Sequence, residues 1–103
     1  SWYEVEIIIS KMLNCPLPCN NQIFTVVTED GYEFDCQRQG DYDKNFRSAY
    51  DLKILGKWIK GQMENAGVLE IFEPITDDTL LHFGKNKLVF EELQNGKWLM
   101  MLR

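Results

Sequence analysis

Basic residues are in the minority in this 103-residue chain, where 11 Lys and Arg face 16 Asp and Glu for a formal net charge of −5. That balance predicts weak non-specific attraction to a polyanion and argues against a protein that coats nucleic acid by charge alone. Histidine occurs once, at His82, and no serine or cysteine has it near in sequence as the base a nucleophile needs. Cysteine occurs at Cys15, Cys19 and Cys36 only. An odd count with no second closely spaced pair argues against a disulfide framework and for a reducing, cytoplasmic compartment. The longest wholly apolar run is Trp98 to Leu102, whereas a membrane-spanning helix needs about 20 such residues, so no membrane partner is expected. No charged and then apolar leader opens the sequence, which begins at Ser1; the expectation is a soluble fragment of a larger protein.

Hydrophobic residues make up 45% of the chain, enough for one core, and residues 1–103 are expected to form a single domain. Three Trp, four Tyr and six Phe suit the pleated, half-buried surface of strands and predict a sheet-rich core. Charge is segregated. Gln37 to Gly61, QRQGDYDKNFRSAYDLKILGKWIKG, carries Arg38, Lys44, Arg47, Lys53, Lys57 and Lys60 against Asp41, Asp43 and Asp51, a local +3 in an acidic chain. A positive stretch set against a repulsive remainder fits approach to a polyanion by one face; it fits equally a solvated loop and helix whose lysines face water.

No repeat or low-complexity segment interrupts the chain. Tyr3 to Leu13 alternates Tyr3, Val5, Ile7 and Ile9 and reads as a strand. Ile23 to Gln37 reads as a hairpin closed by a two-residue Asp30-Gly31 turn. Gly40 to Ser48 lacks periodicity and reads as a surface loop. Ser48 and Asp51 suggest a helix start, with Leu52, Leu55, Ile59, Met63 and Ala66 at helical spacing and Gly67 as the stop. A short second helix runs from Thr76 to Gly84, with Asp77 and Asp78 at its positive end. Leu88 to Leu93 and Lys97 to Leu102 close the chain as a hairpin around Asn95-Gly96. The expectation is a mainly β protein with two short helices, in a small barrel or open pseudobarrel, without a strand-helix-strand parallel unit.

Catalytic patterns are few. His82 is followed two positions on by Gly84, not by the lysine that a phospholipase-D-type nuclease motif requires, and there is no phosphate loop. Cys15, Cys19, Cys36 and His82 have the residue types of a zinc site, but two prolines between the first two cysteines suit a stiff loop and His82 falls on an expected helix, so free thiols are expected. Asp35, Asp41 and Asp43 beside Lys44 have the residue types of a Mg²⁺-dependent nuclease. No cofactor is expected, and the domain is not read as an enzyme.

The string FTVVTEDGYEFDCQRQGDYDKNFRS, followed by LKILGKWIKG, EPITDDTLLHFGKNKLVF and GKWLMML, resembles the C-terminal DNA-recognition domain of phospholipase-D-type restriction endonucleases. The pieces that match in order are the Asp30-Gly31 turn, the segment Gln37 to Ser48, Leu55-Gly56-Lys57-Trp58, Ile75 to Gly84, and Lys97 to Leu102. The resemblance spans about Ile23 to Arg103. It implies a B3-like, seven-stranded open pseudobarrel that grips the DNA major groove between two arms, with cutting done by a nuclease domain of the same or a partner chain. By position, Lys11 to Gln22 forms the first arm and Gln37 to Ser48 the second. The first is compact here, NCPLPCNNQ, where the family carries a longer stretch.

The second arm coincides with the basic island and holds Arg38 and Arg47, the only arginines besides Arg103. Arginine bonds guanine O6 and N7 in a bidentate manner, and Asn or Gln bonds adenine N6 and N7. The expected DNA contacts are therefore Arg38, Lys44, Asn45 and Arg47, with Gln37, Gln39 and Ser48 beside them, and Lys11, Asn20, Asn21 and Gln22 placed in the first arm by position. Lys44 suits a phosphate better than a base, because ammonium lacks the planar fork of guanidinium. Two alternatives remain from the residues themselves: an acidic protein-interaction module presenting Lys53, Lys57 and Lys60 along one helix face, and a small metal-dependent nuclease.

Overall fold

The computed structural model describes residues 2–8 and 16–103. Its strands are β1 (Ile7–Ile8), β2 (Phe24–Thr28), β3 (Glu33–Gln39), β4 (Asn45–Ser48), β5 (Leu88–Glu92) and β6 (Trp98–Leu102), with helices α1 (Lys53–Asn65) and α2 (Asp77–Phe83). They form one sheet in the order β1-β4-β3-β2-β6-β5. The architecture is mainly β with two helices, as expected, but six strands are present among the described residues where seven were expected. The expected first strand shrinks to Ile7–Ile8 within those residues, and its continuation at 9–13 lies outside them.

Two local expectations need correction. Asp30-Gly31 and Asn95-Gly96 do not form two-residue turns. Thr28 N–H donates to Tyr32 O (2.8 Å) and Gly31 N–H to Thr28 O (3.1 Å); the second hairpin repeats this with Leu93 to Lys97 (2.8 Å) and Gly96 to Leu93 (3.1 Å). Each is a three-residue loop in which only the glycine takes positive φ, 92° at Gly31 and 83° at Gly96. The sheet also contains a parallel pair, β2 with β6 (Val26 opposite Trp98, Thr28 opposite Met100), which joins the two hairpins into one surface.

The curl of that surface can be read from one side chain. Phe46 on β4 is 1% exposed, and its ring centroid lies 5.3 Å from that of Phe90 on β5, edge to face. In a flat sheet β4 and β5 stand four strand spacings apart, about 19 Å. The sheet must therefore bend round as a half-barrel, with its inner face enclosing Phe24, Val26, Cys36, Phe46, Trp98, Met100 and Leu102.

Helix α1 closes this core with Leu55, Ile59 and Met63. It starts later than expected. Asp51 caps it, its Oδ1 accepting from Lys53 N–H (2.9 Å), while Ser48 Oγ lies deeper, donating to Asp51 O (2.5 Å) and accepting from Leu55 N–H (3.4 Å). At the far end Val68 N–H returns to Met63 O and Gly67 N–H to Glu64 O, both at 3.0 Å, a Schellman closure that satisfies the last carbonyls. Helix α2 is capped by Thr76 and Thr79 reciprocally.

The N-terminal segment lies along α1. Trp2 Nε1 donates to Glu73 O (2.8 Å), Val5 N–H to Leu52 O (3.4 Å), and Tyr3 packs so closely that a Cβ on Gly56 would lie 1.6 Å from Tyr3 O. Gly56→Ala is thus expected to destabilise the domain by about 1–3 kcal/mol through overpacking. Gly61, with nothing within 4 Å of a built Cβ, is the control on the same helix. Gly61→Ala is expected to stabilise by about 0.4–1 kcal/mol. Urea midpoints of the two variants, moving in opposite directions, check this.

Candidate nucleic-acid interface

The segment from Gln37 to Ser48 is not a plain loop. It comprises the end of β3, a tight turn at Asp41–Asp43, and β4. Gly40 opens the turn at φ 83°, ψ −178°, a conformation essentially restricted to glycine. A Cβ there would stand 2.9 Å from Asn45 Nδ2. Tyr42 (φ 60°) and Asp43 (φ 53°) follow in the left-handed region, which costs an L-residue about 1–2 kcal/mol. The tyrosine side chain is 82% exposed. Sequence reasoning missed β4 because its inward residues are Phe46 and Ser48, and one phenylalanine in four residues gives too little apolar alternation to see.

The ladder decides which candidates share a face. Gln37 lies opposite Arg47 and Gln39 opposite Asn45, while Cys36 lies opposite Ser48 and Arg38 opposite Phe46. Opposed residues share a face and neighbours alternate. Gln37, Gln39, Asn45 and Arg47 therefore form one polar, half-buried patch on the outer face. Asp35 extends it, accepting from Thr25 Oγ1 at 2.7 Å. Arg47 is held at three points: Nε donates to Ser48 O (3.1 Å), Nη1 to Gln39 Oε1 (2.8 Å) and Nη2 to Ala49 O (3.3 Å). Gln37 Nε2 reaches the same Ala49 carbonyl at 3.5 Å. A guanidinium carries five N–H donors, so three contacts fix its plane and leave two donors over.

Arg38, on the inner side, has a different task. Its Nε donates to Asp43 O (2.9 Å) and its Nη1 to Leu17 O (3.0 Å). One guanidinium thus ties the 40–44 turn to the loop at 16–22. That loop ends in a tight turn in which Gln22 N–H donates to Cys19 O (3.1 Å). Asn20 (φ 57°) and Asn21 (φ 60°) fill its two centre positions, which asparagine tolerates better than other L-residues. Both asparagines and Gln22 are exposed, as is Lys44 beside the tied turn.

Of the residues expected to contact nucleic acid, the structure gathers Gln37, Gln39, Asn45 and Arg47 on one face, and Arg38 ties the loop that carries Asn20, Asn21 and Gln22 to the turn before Lys44, at Leu17 and Asp43. Ser48 is not among them. It is 0% exposed and its hydroxyl is engaged at the start of α1, so it supports the segment from beneath. Lys11 lies outside the described residues. The helix lysines lie on α1, apart from this patch. Lys60 Nζ donates to Trp2 O and sits 4.1 Å from the Trp2 ring centroid, and burial holds its ammonium below the usual lysine range; Lys57 lies 6.0 Å from the Tyr3 ring.

Among the described residues the zinc and magnesium patterns are not assembled. Cys36 is fully buried, and burial pushes its thiol far above the ordinary cysteine range. Cys19 is exposed, Cys15 lies outside the described residues, and His82 Nδ1 lies 2.8 Å from Asp78 O within its own helix. Among the described residues no group of three or more His, Cys, Asp or Glu is placed to hold a metal ion. No helix among them is long and apolar enough to cross a membrane.

The tie made by Arg38 is testable by itself. Arg38→Lys keeps the charge but not the fork that spans two carbonyls, and is expected to lower stability by about 1–3 kcal/mol. Amide exchange should quicken at both the 16–22 loop and the 40–44 turn, where a purely local role would move one of them alone.

The sequence profile of the NgoFVII C-terminal B3-like DNA-binding domain matches residues 1–94, a stretch that includes every element from β1 to β5. No curated protein matches the chain. The profile match, over five of the six strands and both helices, shows that this chain belongs to the NgoFVII C-terminal B3-like DNA-binding domains, the DNA-binding part of a restriction enzyme.

Proposed function

We propose that the domain is the sequence reader of a restriction endonuclease and holds double-stranded DNA by its major groove between two arms. The 16–22 loop with Asn20, Asn21 and Gln22 is one arm, and the outer face and turn of 37–48 the other. Cleavage belongs to a nuclease domain of the same or a partner chain. The observation that carries this reading is the outer patch of Gln37, Gln39, Asn45 and Arg47, whose side chains are those that bond base edges. Arg38 supports it by fixing the spacing between the two arms. Lys44, exposed next to the turn, supplies a phosphate contact, and Tyr42 offers a ring beside it.

A net charge of −5 is compatible with this role. Directed contacts set the affinity for the right site, and a weak general attraction keeps binding elsewhere low. The lysine-helix alternative loses one of its three lysines, because Lys60 is held by Trp2.

Selection of the domain on a randomised duplex library, at low and near-physiological salt, tests the reading. One enriched motif is expected. For that site Arg47→Ala should cost about 1–3 kcal/mol, while Lys44→Ala should weaken all sequences alike and flatten the salt slope by about one unit. A library that emerges unenriched at both salts would remove the proposal.

A further inference from the structure

Hydrogen bonds within the outer patch fix which atoms remain to meet a ligand. Arginine only donates, so the Gln39 atom 2.8 Å from Arg47 Nη1 must be the amide oxygen. The Gln39 amide nitrogen, a donor, is thereby turned away from Arg47. A carbonyl only accepts, so the Gln37 atom that faces Ala49 O must be the nitrogen. The Gln37 oxygen, an acceptor, is left over. Arg47 stands between them with two further donors, its Nη1 toward Gln39 and its Nη2 on the carbonyl it shares with Gln37. One N–H of Gln37 and one lone pair of Gln39 are also unused, but counting the groups that have no internal partner at all, the row runs donor at Gln39 Nε2, donor at Arg47, acceptor at Gln37 Oε1.

In the major groove a G·C pair shows two acceptors, guanine N7 and O6, followed by a donor, the cytosine N4 amine, whereas A·T interposes its donor between two acceptors. Only the first complements donor, donor, acceptor. We infer that Gln39, Arg47 and Gln37 act as one unit that reads a G·C base pair, with Arg47 and Gln39 on the guanine and Gln37 on the cytosine amine. This rests on the DNA-reading function proposed above. Gln39 is in this scheme a specificity residue twice over. It orients Arg47 through its oxygen and contacts the base through its nitrogen.

Glutamate is nearly isosteric with glutamine and keeps the oxygen that Arg47 needs, yet replaces the outward donor by an acceptor. The duplex selection is therefore run with wild type, Gln39→Glu and Gln37→Met, each first checked for an unchanged thermal midpoint. The wild-type motif is expected to contain an obligatory G·C position, with the preference there falling roughly 5- to 150-fold in Gln39→Glu. In Gln37→Met the same position should relax while the flanking positions hold. A wild-type motif without an obligatory G·C, or one whose G·C survives both substitutions, would overturn this inference and leave DNA reading intact. Absence of any wild-type motif would instead overturn the function on which it rests.

Discussion

Closure of the half-barrel over Phe46 is the constraint on which the other features depend. Its ring meets Phe90 at 5.3 Å and Phe24 at 6.2 Å, linking strands from both hairpins and the short strand between β1 and β3. Burying a phenylalanine is worth roughly 1.5–3 kcal/mol, and aromatic pairs add about 0.5–1.5 kcal/mol each. For a four-residue strand next to a two-residue edge strand, this adds to its ladder with β3 and to the bonds of Ser48. With Phe46 seated, period-two alternation turns Asn45 and Arg47 outward. The core therefore sets the orientation of the patch.

The helices serve the same arrangement from the other side. Ser48 and Asp51 start α1 immediately after β4, so the carbonyls of Ser48 and Ala49 that hold Arg47 belong to a connection fixed at both ends. Trp58 Nε1 donates to Asp30 Oδ1 (3.0 Å) and secures the helix to the first hairpin loop. The parallel seam between β2 and β6 is flanked by two exposed ion pairs, Arg103 with Glu29 and Lys97 with Glu33, which add little in solvent; the seam is held by its ladder and by Val26, Trp98 and Met100 beneath it.

Much of this was legible in the sequence, and the failures share a physical cause. Long periodic signals survived: the 3.6 spacing of Leu55, Ile59 and Met63, the Thr76 cap, and the Gly67 and Gly84 stops. Turn type did not, since Asp-Gly and Asn-Gly suit both two- and three-residue loops and flanking register decides between them. The parallel pair was invisible because no local pattern announces a partner about seventy residues away, as Val26 and Trp98 show. In the interface, residue types and their segment were readable, but their assignment to faces was not. Arg38 and Arg47 look equivalent in sequence, yet one ties backbone and the other faces outward, a difference that hinges on their register with Phe46.

The bond between Arg47 and Gln39 has a consequence for how such a domain changes over time. Outward residues on β3 and β4 can be exchanged with little harm to the core, so new recognition is open to single substitutions at most of these positions. At this pair it is not. Replacing the arginine strands the glutamine oxygen, and replacing the glutamine frees the arginine to swing. The two are expected to be inherited or lost together, and relatives with a different partner at either position should differ at both.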